Sequence, residues 1–172
     1  EQLSWSPDST RLVLFRMQRA EKRYVHYIES SPADQLQPKH RQVLYPKPGD
    51  ALDIPHPVLV EVASRRLTTI DPSLFPHPYS LSFPVLQKDG GTFTFEYNQR
   101  GHQIYRVIEV DGETATPRVL INETSDTFID YMPLTGVETG SGKYYRHDMA
   151  NSKEIIWASE RSGWQHLYLY DA

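Results

Sequence analysis

Asp89-Gly90-Gly91-Thr92-Phe93-Thr94-Phe95, running on to Arg100-Gly101-His102-Gln103, decides the fold, because the chain writes this stretch twice. The second copy is Asn151-Ser152-Lys153-Glu154-Ile155-Ile156-Trp157, running on to Ser162-Gly163-Trp164-Gln165. The step from Asp89 to Asn151 and the step from Gly101 to Gly163 are both 62 positions. A third, partial copy opens the chain as Trp5-Ser6-Pro7-Asp8-Ser9-Thr10-Arg11-Leu12-Val13-Leu14-Phe15. A small β unit cannot bury its apolar face alone, so its repetition predicts a propeller-like array. The first interval, Asp8 to Asp89, is 81 positions. Both intervals exceed the ~40–45 residues of a compact blade, so an irregular propeller with long loops is expected.

Strand signals surround these copies. Leu12-Val13-Leu14-Phe15, Tyr24 to Ile28, Val58 to Val62, Phe93 to Tyr97, Ile104 to Val110, Arg118 to Ile121, Ile155 to Ala158 and Leu167 to Tyr170 read as strands. Asp111-Gly112 is a hairpin signal between two of them. No window carries a capped helical period, and the best short turn of helix is near Asp71-Pro72-Ser73-Leu74. Ser31 to His40 and Tyr131 to Lys143 read as surface loops. The fold class is therefore all-β, part of an irregular propeller built of antiparallel four-stranded blades. It divides into blade regions 1–73, 74–122 and 123–172, the last incomplete. A β-sandwich is the other all-β arrangement with such short strands.

Composition limits the function. The 172 residues carry 38% hydrophobic residues and a net charge of −4, so no broad basic face for nucleic acid is implied. The basic stretch Arg16 to Arg23 reads as a solvated hairpin. With no cysteine, disulfide and thiolate chemistry are excluded. No run approaches the ~20 apolar residues of a membrane span. The polar start at Glu1-Gln2 reads as a cut piece of a longer protein.

Catalytic motifs fail on spacing. A nucleophile elbow needs Gly-x-Ser-x-Gly, and Ser141 sits directly between Gly140 and Gly142 instead. The stretch Gly136 to Lys143 misses the phosphate-loop pattern at Ser141 and Tyr144. The seven histidines include no helical metal pair, and no metal or cofactor is expected. Glu109 with Asp111, and Asp126 with Asp130, read as solvated carboxylates. No catalytic residue is assigned. Arg100, Gln103, Arg161 and Gln165 flank the repeated glycines. They are the candidates for substrate contact, set against a plain role in tying blade edges together.

Three segments carry a family resemblance: Leu3-Ser4-Trp5-Ser6-Pro7-Asp8-Ser9; Tyr45-Pro46-Lys47-Pro48-Gly49 followed by Pro57 to Val62; and Ser159-Glu160-Arg161-Ser162-Gly163-Trp164-Gln165-His166-Leu167-Tyr168-Leu169-Tyr170-Asp171. In this order they resemble the N-terminal β-propeller of dipeptidyl peptidase IV-like serine peptidases, in the prolyl oligopeptidase family. The resemblance implies a non-catalytic segment that gates and positions peptides for a C-terminal α/β-hydrolase domain outside this chain. In the family an acidic pair holds the substrate's amine, and it precedes the Trp-Ser-Pro segment. That role is transferred to no residue here, Glu1 included. The implied partners are the hydrolase domain and peptide substrates, and the implied location is periplasmic or extracellular. Open sheet edges predict self-association of the isolated piece. The competing reading is a stand-alone β-domain that binds a peptide or carbohydrate.

Overall fold

The computed structural model describes residues 3–87, 90–132, 142–150 and 154–171. The opening positions of both full repeats (Asp89 and Asn151 to Lys153), and Ser141 with most of its glycine-rich stretch, lie outside these residues. The chain divides into two units, residues 1–15 with 57–172, and residues 16–56.

Fourteen described strands build the chain, all paired antiparallel where their registers are known. The first sheet has the order β1 (Leu3–Trp5), β2 (Arg11–Gln18), β5 (Ile54–Glu61), β6 (Arg66–Thr69). The second runs β11 (Pro117–Thr124), β10 (Ile104–Asp111), β9 (Thr92–Gln99), β7 (Pro78–Leu81), with β8 (Val85–Leu86) also on β9. β7 and β8 meet opposite ends of β9, at residues 97–99 and 93–94, as one edge interrupted around Pro84. The third sheet is β12 (Arg146–Asp148), β13 (Glu154–Ser159), β14 (His166–Asp171).

β9 shows why the repeat is a strand. Its sequence Thr-Phe-Thr-Phe-Glu-Tyr-Asn-Gln alternates aromatic and polar side chains, which suits a pleated surface. Phe93, Phe95 and Tyr97 are fully buried with Val13 and Leu59 of the first sheet and Ile108 and Val110 of β10. The polar face of β9 is buried as well. On that side Val107 and Ile121 pack with Ile155 and Trp157 of the third sheet. The second sheet is therefore covered on both faces, where alternation alone predicts one wet face. Glu109 follows suit: it is buried and paired with Arg118 at 2.6 Å, not a solvated carboxylate.

The echoed glycines sit at matching turns. Gly101 (φ +110°) lies between β9 and β10, and Gly163 (φ +89°) lies between β13 and β14. An added Cβ would meet nothing within 4 Å at either site, so glycine is required for its backbone angle and not for space. Gly101→Ala and Gly163→Ala are each expected to cost about 1 kcal/mol, read as a lower urea midpoint. An unchanged midpoint in both would count against this account.

Other turns use side chains. Asp8 accepts from Ser6 Oγ at 2.6 Å and from the Thr10 amide at 3.1 Å. These bonds hold its carboxyl down at about 2. Asp71 caps the 3-10 turn Pro72–Leu74, where the sequence placed its one helical turn. Asp111 caps the loop to β11, and the positive φ there falls on Ala115 (+60°) and not on Gly112.

In the unit 16–56, β3 (Tyr24–Glu29) and β4 (Lys39–Leu44) form a separate two-stranded hairpin. β4 begins inside the stretch read as a loop. Its polar residues sit on an open two-stranded ladder, which leaves both faces in water. Glu29 pairs with Arg41 at 2.9 Å across the hairpin. Arg19 and Arg23 of the basic stretch pair with Asp53 and Glu21.

Candidate functional site

Period-two alternation turns Thr94 and Glu96 away from the Phe93–Phe95–Tyr97 core and toward the third sheet. There Glu96 accepts from the hydroxyls of Tyr105 and Tyr144, each at 2.6 Å, and from Arg146 at 3.1 Å. Arg146 also donates to Thr94 Oγ1 at 2.9 Å and, by two bonds, to Asp148. The side chains of Arg146 and Glu96 are only 8% and 13% exposed. Burial, and then the charge of Glu96, push both phenols well above their ordinary range, so they stay protonated donors.

Glu123, in β11, forms a second, partly buried centre. Its carboxylate accepts from Trp157 Nε1 at 3.0 Å, Ser159 Oγ at 2.8 Å and Arg161 Nη2 at 2.5 Å. The Arg161 guanidinium lies 5.0 Å from the Tyr168 ring centre and 5.1 Å from that of Tyr170. Cation–π attraction adds to the ion pair there.

Next to Glu123 the molecule holds a cavity of about 130 Å³. It is lined by Tyr105, Tyr144 and Trp157 and by residues of the segment 125–131, including Phe128 and Tyr131. Residues of the repeat phrases bond to main chain at Asp126 and at Lys143, a lining residue. Gln103 donates to the Asp126 carbonyl at 2.8 Å, and Gln165 donates to the Lys143 carbonyl at 2.8 Å. The Ser125 amide bonds to the Gln103 carbonyl, and the Ile129 amide to that of His102. The His102 ring packs on Tyr79, Phe128 and Tyr131, with centroids 4.4–5.4 Å apart.

Of the four residues proposed from sequence, Arg161 lines the cavity. Gln103 and Gln165 stand behind its walls and bond to main chain. Arg100 is exposed in the β9–β10 turn, with its amide on the His77 carbonyl at 3.0 Å. Of the four, only Arg161 is a lining residue. Sequence reasoning missed Glu96, Glu123 and Arg146. The cavity's two serines, Ser125 and Ser159, bond to Thr127 and Glu123 and not to an imidazole.

The whole chain, residues 1–172, matches the family model of the dipeptidyl peptidase IV (DPP IV) N-terminal region. The chain belongs to that family. Among solved structures, dipeptidyl peptidase 4 of Porphyromonas gingivalis is similar, with a TM-score of 0.67 at 17% identity. A Bacteroides ovatus protein assigned as a dipeptidyl aminopeptidase IV gives 0.61, also at 17%. Each match covers 99% of this chain and 22% of the other, so the chain spans about a fifth of those proteins. At this identity the likeness is one of fold. The antiparallel sheets are consistent with a propeller segment of a DPP IV protein. Among the described residues no helix is long and apolar enough to cross a membrane.

Proposed function

We propose that this member of the DPP IV N-terminal family is a non-catalytic propeller segment of a serine exopeptidase. It gates and positions peptides for a C-terminal α/β-hydrolase domain outside the chain. The observation that carries this reading is the family match over residues 1–172. The division into blade regions 1–73, 74–122 and 123–172 goes with it; the sheets within 3–69, 78–124 and 146–171 support three regions, with β11 running two residues past the second boundary. The carboxylates Glu96 and Glu123 support a scaffold role, since each already accepts from three side-chain donors of this chain. A periplasmic or extracellular location follows from the same reading.

β14 is the last strand of its sheet, with Leu167 and Leu169 each 62% exposed, which supports pairing through that edge. Self-association of the 172-residue piece is read by light scattering, and a monodisperse monomer at high concentration contradicts it. The reading frame downstream of Ala172 tests the function itself. An in-frame Gly-x-Ser-x-Gly motif, with cleavage of a Gly-Pro chromogenic amide by the longer protein only, is the expected result. A stop codon after Ala172, or cleavage by the 172-residue chain alone, overturns it.

A further inference from the structure

We propose that the cavity behind segment 125–131 takes the uncharged ring of one side chain, aromatic or prolyl, from an extended peptide. This rests on the peptide-handling reading above and names the chemistry recognised on the propeller side.

Size comes first. An apolar cavity of ~150 Å³ takes up benzene, so the 130 Å³ here accommodates one ring and little more. The walls are rings already set at varied angles: Tyr144 and Trp157 meet edge to face at 88° and 5.5 Å, and Tyr105 lies 5.9 Å from Trp157. An incoming ring finds both faces and edges to pack against.

Charge decides the class of ligand. Glu123 has its oxygens taken by Trp157, Ser159 and Arg161. Glu160 is paired with Lys143 at 2.7 Å, and Asp130 accepts from the Met132 amide at 3.0 Å. A charged ligand of either sign meets like charges on this lining, Lys143 and Arg161 or Glu123, Asp130 and Glu160, whereas a neutral ring leaves the existing bonds intact. A second observation points the same way: Phe128, on the cavity wall, is 61% exposed. Its outer surface is free to cover a ring that enters.

The test uses the three tryptophans as reporters. Trp157 lines the cavity and is 3% exposed, while Trp5 and Trp164 are 50% and 77% exposed and lie elsewhere. The chain is labelled with 5-fluorotryptophan, and its fluorine resonances are assigned through Trp5→Phe and Trp164→Phe. It is then titrated with the N-acetyl amides of phenylalanine, proline and lysine. The Trp157 resonance is expected to shift saturably with the phenylalanine and proline amides and to ignore the lysine amide. Phe128→Ala is expected to weaken the phenylalanine complex about fivefold, the loss of one ring contact. Because Phe128 is exposed, the variant keeps its fold, and the dispersed Trp157 resonance verifies this. An unmoved Trp157 resonance, an equal response to the lysine amide, or an unaltered affinity in Phe128→Ala overturns the proposal. Any of these leaves the peptidase assignment standing, since the downstream reading frame tests that separately.

Discussion

Arg146→Leu is expected to destabilise the protein by about 3–5 kcal/mol, the cost of leaving one partner of a buried ion pair alone. The guanidinium serves Glu96, Thr94 and Asp148 at once, and it does so with 8% of its side chain exposed. Leucine fills part of the volume but supplies no donor, so Glu96 is left with only the two tyrosine hydroxyls. Urea unfolding followed by circular dichroism reads the loss. The double variant Arg146→Leu with Glu96→Gln carries no uncompensated carboxylate at this position. It is expected to recover at least about 1 kcal/mol relative to additive losses. A single-variant loss below about 1 kcal/mol, in the range of exposed pairs, would show that the network contributes little.

Phe95→Ala is expected to cost about 3–5 kcal/mol, the usual range for a buried aromatic ring. Phe95 is 0% exposed and meets Phe75 edge to face at 5.2 Å and Phe93 at 6.5 Å. Its neighbours come from both the first and the second sheet, so the hole cannot close by moving one strand. Leu36→Ala, at 92% exposure, is the control, expected within about 0.5 kcal/mol of the parent. Equal losses at the two positions would mean that the buried core is not where Phe93, Phe95 and Tyr97 place it.

The strands of the repeat were legible because two local rules agree. Aromatic alternation at Phe93 to Tyr97 fixes a pleat, and Gly101 and Gly163 mark positions where only a positive φ closes the turn. The turn at Pro72–Leu74 is equally local and was found near Asp71, though the capping role of Asp71 was not. What escaped notice depends on partners far along the chain. Glu96 meets Arg146 50 positions away, and Glu123 meets Arg161 38 positions away. A glutamate on the polar side of an alternating strand reads as solvated until a neighbouring sheet covers it. The glutamines show the same limit in miniature. Their place beside the turn glycine suggested substrate contact or a tie between blade edges, and each bonds to main chain outside its own hairpin, at Asp126 and Lys143. The split edge at β7 and β8, and the three-residue β12, were too short to announce themselves by periodicity.

The bonds from Gln103 and Gln165 share one property with a wider consequence. Both end on peptide carbonyls, at Asp126 and Lys143, and every amino acid presents the same carbonyl. The fastening is therefore blind to the spelling of the loop it secures. The wall of the cavity can be rewritten, residue by residue, while its two anchor points stay put. A scaffold of this kind can alter what it recognises without having to reinvent how it holds together.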